Sequence, residues 1–204
     1  MAREHTEVFL QTLSGVGFAQ PNPTPMFANP PGLLRPEPHS SGLRDRIWWG
    51  AGSRATAQWT AQRGMNLMSS TLLTEDAGVP FHELQAEQIR LFREAWTAAG
   101  HQREPRVSVS RSIFAIVDDR DRAYFGRSGQ DADQVGYLDA STKAIFGRSY
   151  AAEPDVLVEQ LAGDTAIQAA DTLLLTIPNQ LGVEYNAHVI EALLTDVAPA
   201  LGWR

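Results

Sequence analysis

The 204-residue chain contains no cysteine. That excludes disulfides and thiolate-bound metal among these residues and fits a reducing, cytoplasmic setting. No apolar run is long enough to span a bilayer, and MAREHTEVFLQTL lacks the layout of a secretory leader, so no membrane partner is expected. Basic charge is in short supply: 17 Lys and Arg stand against 24 Asp and Glu, for a formal net charge of −7. Such a balance argues against a nucleic-acid partner and suits a small-molecule substrate better. Histidine is sparse too. His5, His39, His82, His101 and His188 show neither His-x-x-x-His spacing nor companion acids, so no metal is expected. Asp118, Asp119, Asp121, Asp131 and Asp133 carry enough acid for calcium, but the glycine and closing glutamate of a calcium loop are out of register. They read as a solvated acidic loop.

What is present is 43% apolar composition, enough for one globular domain with a real core, in which the five tryptophans serve as anchors. The organising stretch is residues 46–70, RIWWGAGSRATAQWTAQRGMNLMSS. Residues 47–49 form a short strand that runs into Gly50-Ala51-Gly52-Ser53, where glycine permits a sharp turn. Ala55, Trp59 and Gln62 or Arg63 then fall at helical spacing, Gly64 stops the helix, and residues 65–69 form the next strand. A strand–turn–helix unit of this kind aims unpaired N–H groups and the positive end of the helix dipole at one spot, with the hydroxyls of Ser53 and Thr56 on the same rim. Two readings are open: an anion site for a phosphate, or Ser53 as an ordinary helix cap. Gly50 to Ala55 also satisfies the loose dinucleotide pattern, but the next strand ends in Ser69-Ser70-Thr71 instead of a ribose-binding acid, and Glu75 lies too far into the loop.

Along the chain, residues 4–13 predict an amphipathic helix with Val8, Phe9 and Leu13 on one side. Residues 20–41 hold Pro21, Pro23, Pro25, Pro30, Pro31, Pro36 and Pro38, which bars a helix or central strand and leaves a strap, lid or linker. The chain thus reads as residues 1–43, a helix and an extended segment, followed by 44–204. In the second part, residues 81–99 predict a helix with Leu84, Ile89, Leu91, Phe92, Ala95 and Trp96 as its stripe, and 106–117 (RVSVSRSIFAIV) a single, mostly buried strand. The stretch 118–150 is turn-like at Asp118-Asp119 and glycine-rich at 126–129. Residues 155–163 predict a helix, 171–177 (DTLLLTI) a fully buried strand, and 186–201 a closing helix with Val189, Ile190, Leu193, Leu194 and Val197 inward. Strand and helix therefore alternate four times, which predicts α/β architecture with a parallel sheet, about half of a barrel that typically needs about 250 residues.

Residues 46–70, VSRSIFAIVDDRDRAYFG, IFGRSYAAEPDVLVEQLAGD and the ending DTLLLTIPNQLG…ALLTDVAPALGWR together resemble the C-terminal half of the luciferase-like flavin-dependent monooxygenase family. The resemblance runs from about Leu33 to the C-terminus. It implies a partial (β/α)8 barrel of TIM type, strands five to eight, with reduced FMN, or the deazaflavin F420, bound at the C-terminal ends of the strands. It implies that Ser53 and Thr56, with Gly52 in the turn, hold the cofactor phosphate, and that Ser69 lies near the flavin or the substrate. Strands one to four of the family have no counterpart before Arg46. A homodimer or a complementing chain is the partner this implies, and a non-catalytic, ligand-binding half-barrel is the alternative. Arg111 interrupts an apolar strand; it is either a substrate-binding group or half of a structural ion pair. Arg148 and Tyr150 are candidates for the mouth of a pocket. No residue reads as a general acid, base or nucleophile.

Overall fold

The computed structural model describes residues 2–75, 78–126 and 132–203. Of the sequence expectations, Asp131 and residues 127–129 of the glycine-rich stretch lie outside them. The chain divides into two units, Met1–Trp48 and Trp49–Arg204.

The first unit holds helix α1 (Ala2–Leu13). Its buried residues are Thr6 and Leu10, one turn apart on one face, whereas Val8 and Phe9 are exposed. The apolar side expected at Val8, Phe9 and Leu13 is therefore not the buried one. The proline-rich stretch that follows contains a single antiparallel bridge between Ala19 and Leu34, and it ends in a short 3-10 turn, Arg44–Arg46.

The second unit is mixed α/β with parallel strands. Strand β1 (Trp48–Ala51) leads to α2 (Arg54–Gln62), and β2 (Asn66–Ser69) is followed by the two-residue β3 (Leu72–Leu73) and the long α3 (Phe81–Ala98). Then come β4 (Val107–Arg111), β5 (Ile113–Ala115), α4 (Asp119–Phe125), β6 (Gln134–Tyr137), β7 (Lys143–Phe146) and β8 (Tyr150–Ala152). α5 (Pro154–Ala162), α6 (Thr165–Ala169), β9 (Thr172–Leu175) and α7 (Gly182–Ala192) complete it. The main sheet has the order β1-β2-β4-β9. Leu67 pairs with Val107, and Ser108 to Arg111 pair with Thr172 to Leu175, both in parallel register.

Side chains alternate across this sheet. Ala51, Leu67, Val107 and Val109 face the helices and join Ala57, Ala61, Ile89, Phe92 and Trp96 in the main core. Gly50, Met68, Ser108, Ser110 and Leu174 fall on the opposite face, where Met68 and Leu174 are each 38% exposed. This explains why DTLLLTI is not fully buried: β9 is a terminal strand, and of the stretch Leu173, Leu175 and Ile177 pack against the core while Leu174 does not.

The predicted single strand 106–117 is two strands. β4 belongs to the main sheet, while β5 pairs in parallel with β8. The switch lies at adjacent carbonyls: Arg111 C=O accepts from Thr176 N–H, and Ser112 C=O accepts from Tyr150 N–H. A second, antiparallel sheet, β3-β7-β6, covers a small cluster of Leu73, Phe81, Leu84 and Ile145. Beyond Ala192 the helix widens into a π-helical turn, Leu193–Val197, before a 3-10 turn, Pro199–Leu201. Val189, Leu193 and Val197 are buried there, but Ile190 and Leu194, expected inward, are exposed, because only the stripe at four-residue spacing faces the core. Among the described residues no helix is long and apolar enough to cross a membrane.

Candidate functional site

β1 leaves the sheet at the fully buried Ala51, and the turn runs straight into α2. Neither Gly50 nor Gly52 has a positive φ, so glycine is not required there for the turn itself. A Cβ at Gly52 would meet only the Leu72 carbonyl, at 3.6 Å, an ordinary contact. Ser53 caps the helix. Its Oγ accepts from Thr56 N–H at 3.2 Å, and the two hydroxyl oxygens stand 2.9 Å apart. Gly52, Ser53 and Thr56 are thus brought together on one rim.

The same helix end already holds a carboxylate. Arg54 N–H donates to Glu75 Oε2 at 3.0 Å, Arg54 Nε donates to the same oxygen at 2.9 Å, and Arg54 Nη1 reaches Glu87 at 3.1 Å. Thr74 N–H donates to Gly52 C=O at 3.0 Å and so fixes the segment that carries Glu75. The positive end of α2 therefore faces an oxyanion supplied by the chain. Ala55 N–H has no acceptor among the described residues, and Ala55 is exposed.

Ser69 lies elsewhere. It is buried and donates to Gln88 Oε1 at 2.6 Å, while Gln88 Nε2 donates to Ala51 C=O at 3.1 Å. The Ser69 hydroxyl proton is committed to α3, and Gln88 ties the ends of β1 and β2 together from behind.

Arg111 points toward the helices at the end of β4. Its Nε and Nη2 donate to the two oxygens of Asp164 at 2.7 and 3.0 Å, and its Nη1 donates to Ser110 C=O at 2.9 Å. Asp164 also caps α6 through Ala166 and Ile167 N–H and accepts from the Tyr150 hydroxyl at 2.7 Å. Burial pushes the Asp164 carboxyl up, but the Arg111 hydrogen bonds and charge, the Ile167 N–H and the Tyr150 hydroxyl outweigh it and hold it below the usual carboxylate range. Tyr150 is pushed up by burial and by the adjacent Asp164 charge. Arg148 lies over the Tyr150 ring, 4.4 Å from its centroid.

A second buried acid, Asp121, joins α4 to α7. Asp118 and Asp121 form a reciprocal capping box at the start of α4, so the expected solvated loop is a helix start here. Asp121 Oδ1 accepts from the Tyr185 hydroxyl and lies 3.0 Å from His188 Nε2, and Oδ2 accepts from Val117 N–H at 3.1 Å. His188 therefore does have companion acids, 67 residues away in sequence, beyond the reach of any spacing rule. Burial raises the Asp121 carboxyl, but Tyr185, His188 and Val117 N–H hold it low. The ligand atoms of Asp118, Asp121 and His188 lie within 4.8 Å of one another, yet those of Asp121 are committed to these hydrogen bonds.

Sequence reasoning set Glu75 aside as too far into the loop and missed Gln88 and Asp164. The only local signal was at Asp164, an acid directly before a short helical run.

No family model matches this chain, and no curated protein does. Among solved structures it is similar to the crystal structure of monooxygenase RslO1 from Streptomyces bottropensis, with a TM-score of 0.59 at 14% sequence identity. The match covers 98% of this chain and 60% of that one, so the chain spans about 60% of the length of that structure. At this identity the likeness is one of fold.

Proposed function

We propose that this chain is a flavin-dependent oxidoreductase of monooxygenase type, the C-terminal half of a luciferase-like (β/α)8 barrel, which anchors its cofactor by the phosphate at the start of α2. The observation that carries the reading is the pair of hydroxyls of Ser53 and Thr56, 2.9 Å apart on the first turn of a helix that begins directly after β1. Ligands of parallel α/β sheets gather at the C-terminal ends of the strands, and helix N-termini favour phosphate. The residues fit the group, since a carboxylate of the chain already rests on Arg54 N–H. A phosphate would take that place, held by the turn at Gly52, by Ser53 and Thr56 and by the first-turn N–H groups. FMN, or F420 in its stead, would supply the electron and oxygen chemistry. The chain's part is to bind and orient the cofactor in a setting we take to be cytoplasmic, next to a small-molecule substrate.

The test is a titration of the purified chain with FMN and F420 in parallel, read by tryptophan quenching. One of the two is expected to saturate, which names the cofactor. Quenching that rises linearly with both into the millimolar range contradicts the proposal. A companion prediction concerns Glu75, whose charge a phosphate must displace. Glu75→Gln is expected to tighten FMN binding roughly tenfold, the size of about 1.4 kcal/mol of relieved like-charge repulsion. Weaker binding in the variant would mean that Glu75 belongs to the site as a ligand partner.

One observation favours a second reading, a half-barrel that binds its ligand only after pairing with another copy or a complementing chain. The sheet face opposite the helices carries exposed Met68 and Leu174 and the buried Ser108 hydroxyl, which has no hydrogen-bond partner among the described residues. Light scattering decides: on this reading the mass is at least twice that of the single chain, and flavin binding falls away on dilution.

A further inference from the structure

A cavity of about 250 Å³ opens beside Arg111, with Phe81 and His82 at the start of α3 on one wall, Arg148 and Tyr150 on another and Asp133 at its rim. Its hydrogen-bonding inventory is unbalanced. A guanidinium has five N–H donors. In Arg111 the Nε and one Nη2 proton go to Asp164 and one Nη1 proton goes to Ser110 C=O. One proton on Nη1 and one on Nη2 have no acceptor among the described residues, although the side chain is only 3% exposed. The nearby acids are already engaged by the chain, Asp164 on every acceptor site and Asp133 by one backbone N–H on each oxygen. Asp164 accepts from Arg111, Tyr150, Ala166 and Ile167, and the two oxygens of Asp133 accept from Phe81 N–H at 2.7 Å and Arg148 N–H at 3.1 Å.

The surroundings fix the orientation. The Arg111 guanidinium carbon lies 5.7 Å from the Phe81 ring centroid, and Asp164 grips one edge in two-point fashion. Gly147 keeps the wall open, since a Cβ there would come within 2.6 Å of the Phe81 ring. The positive end of the 18-residue α3 adds to the field of Arg148. A cavity with surplus donors on a buried guanidinium, acids already bonded to the chain and little net charge suits a flat monoanion. A phosphate dianion would crowd its second charge against Asp133 and Asp164.

We infer that the cavity beside Arg111 binds a small carboxylate, held by the two open N–H groups of Arg111 and by Arg148, with the organic part of the acid against Phe81. If the flavin reading holds, this gives the chemical class of the substrate or of an accessory ligand. The inference itself needs no cofactor, and its failure leaves the α2 site untouched.

The probe is benzoate, with benzamide as its uncharged counterpart and inorganic phosphate as the dianion, followed by NMR on the flavin-free chain. Benzoate is expected to shift the Arg111 Nε–H resonance saturably, and benzamide and phosphate to bind at least about tenfold more weakly. Arg148→Gln is expected to weaken benzoate about tenfold. Arg111→Lys keeps a charge opposite Asp164 but has no fork, and it should abolish the shift in neighbouring signals. Should Arg111→Lys not fold, the wild-type Arg111 resonance and Arg148→Gln decide the matter. Equal response to benzoate and benzamide, indifference to Arg148→Gln, or no saturation overturns the inference.

Discussion

Asp164→Ala is expected to cost about 3–5 kcal/mol of folding stability in urea titration at neutral pH. The size follows from what is left behind. The Arg111 side chain is 3% exposed and would keep its charge with no counter-ion, because Arg stays protonated at any accessible pH. The Tyr150 hydroxyl loses its acceptor, and α6 loses the cap that serves two N–H groups. Replacing both partners by leucine should recover most of the loss, since an apolar pair of similar volume avoids the desolvation of two ions. The link to pH has a definite sign. A carboxyl held below its usual value stabilises the fold fully above the unfolded value near about 4 and loses that contribution as pH falls through the lower, folded value. Acid unfolding of the wild type should therefore steepen below about pH 4, and the double-leucine variant should be less sensitive there. A loss under about 1 kcal/mol in Asp164→Ala would mean that the pair is reached by water.

Ser53→Ala/Thr56→Ala is expected to weaken FMN roughly a hundredfold. Hydrogen bonds to a charged group contribute about 1.5–3 kcal/mol each, and two at the lower end, with 1.4 kcal/mol per decade, give that factor. The double variant also removes the cap of α2, worth about 1 kcal/mol, so folding is read alongside. Ser53→Asp separates the two roles. Aspartate caps as well as serine does, but it places a negative charge where a phosphate would lie, so stability should hold while FMN binding is lost. Unchanged binding in both variants would remove α2 from the cofactor site.

How legible this molecule was depended on how far apart in sequence the interacting groups lie. The stripe of α3 was visible because Leu84, Ile89, Phe92 and Trp96 recur at helical spacing, and all four are buried. The Ser53 cap was visible because it is made within one turn. Strand 106–117 was misread since both halves are largely buried and strand-like, an alternating VSVSR followed by an apolar IFA, and the extended chain passes from one sheet to the other at Ser112 without a turn residue. The antiparallel sheet around Gln134–Tyr137 gave no signal, because its strands run only two to four residues and Gln134, Val135 and Tyr137 are all exposed, leaving no alternation to read. At the site, Ser53 and Thr56 were local and therefore readable. Their neighbours were not: Glu75 reaches Arg54 across 21 residues, Gln88 reaches Ala51 across 37, and Asp164 reaches Arg111 across 53. Those partners turn a helix end and an isolated arginine into two defined electrostatic environments, and only the folded chain displays them.

The most direct test of the phosphate anchor compares FMN with riboflavin, which differ only in the phosphate, in parallel tryptophan-quenching titrations of the wild-type chain and of Ser53→Ala/Thr56→Ala. The account predicts that the wild type binds FMN at least about a hundredfold more tightly than riboflavin and that the double variant loses most of this difference. Equal affinity for the two ligands in the wild type, or a preference for FMN that survives in the double variant, would contradict it.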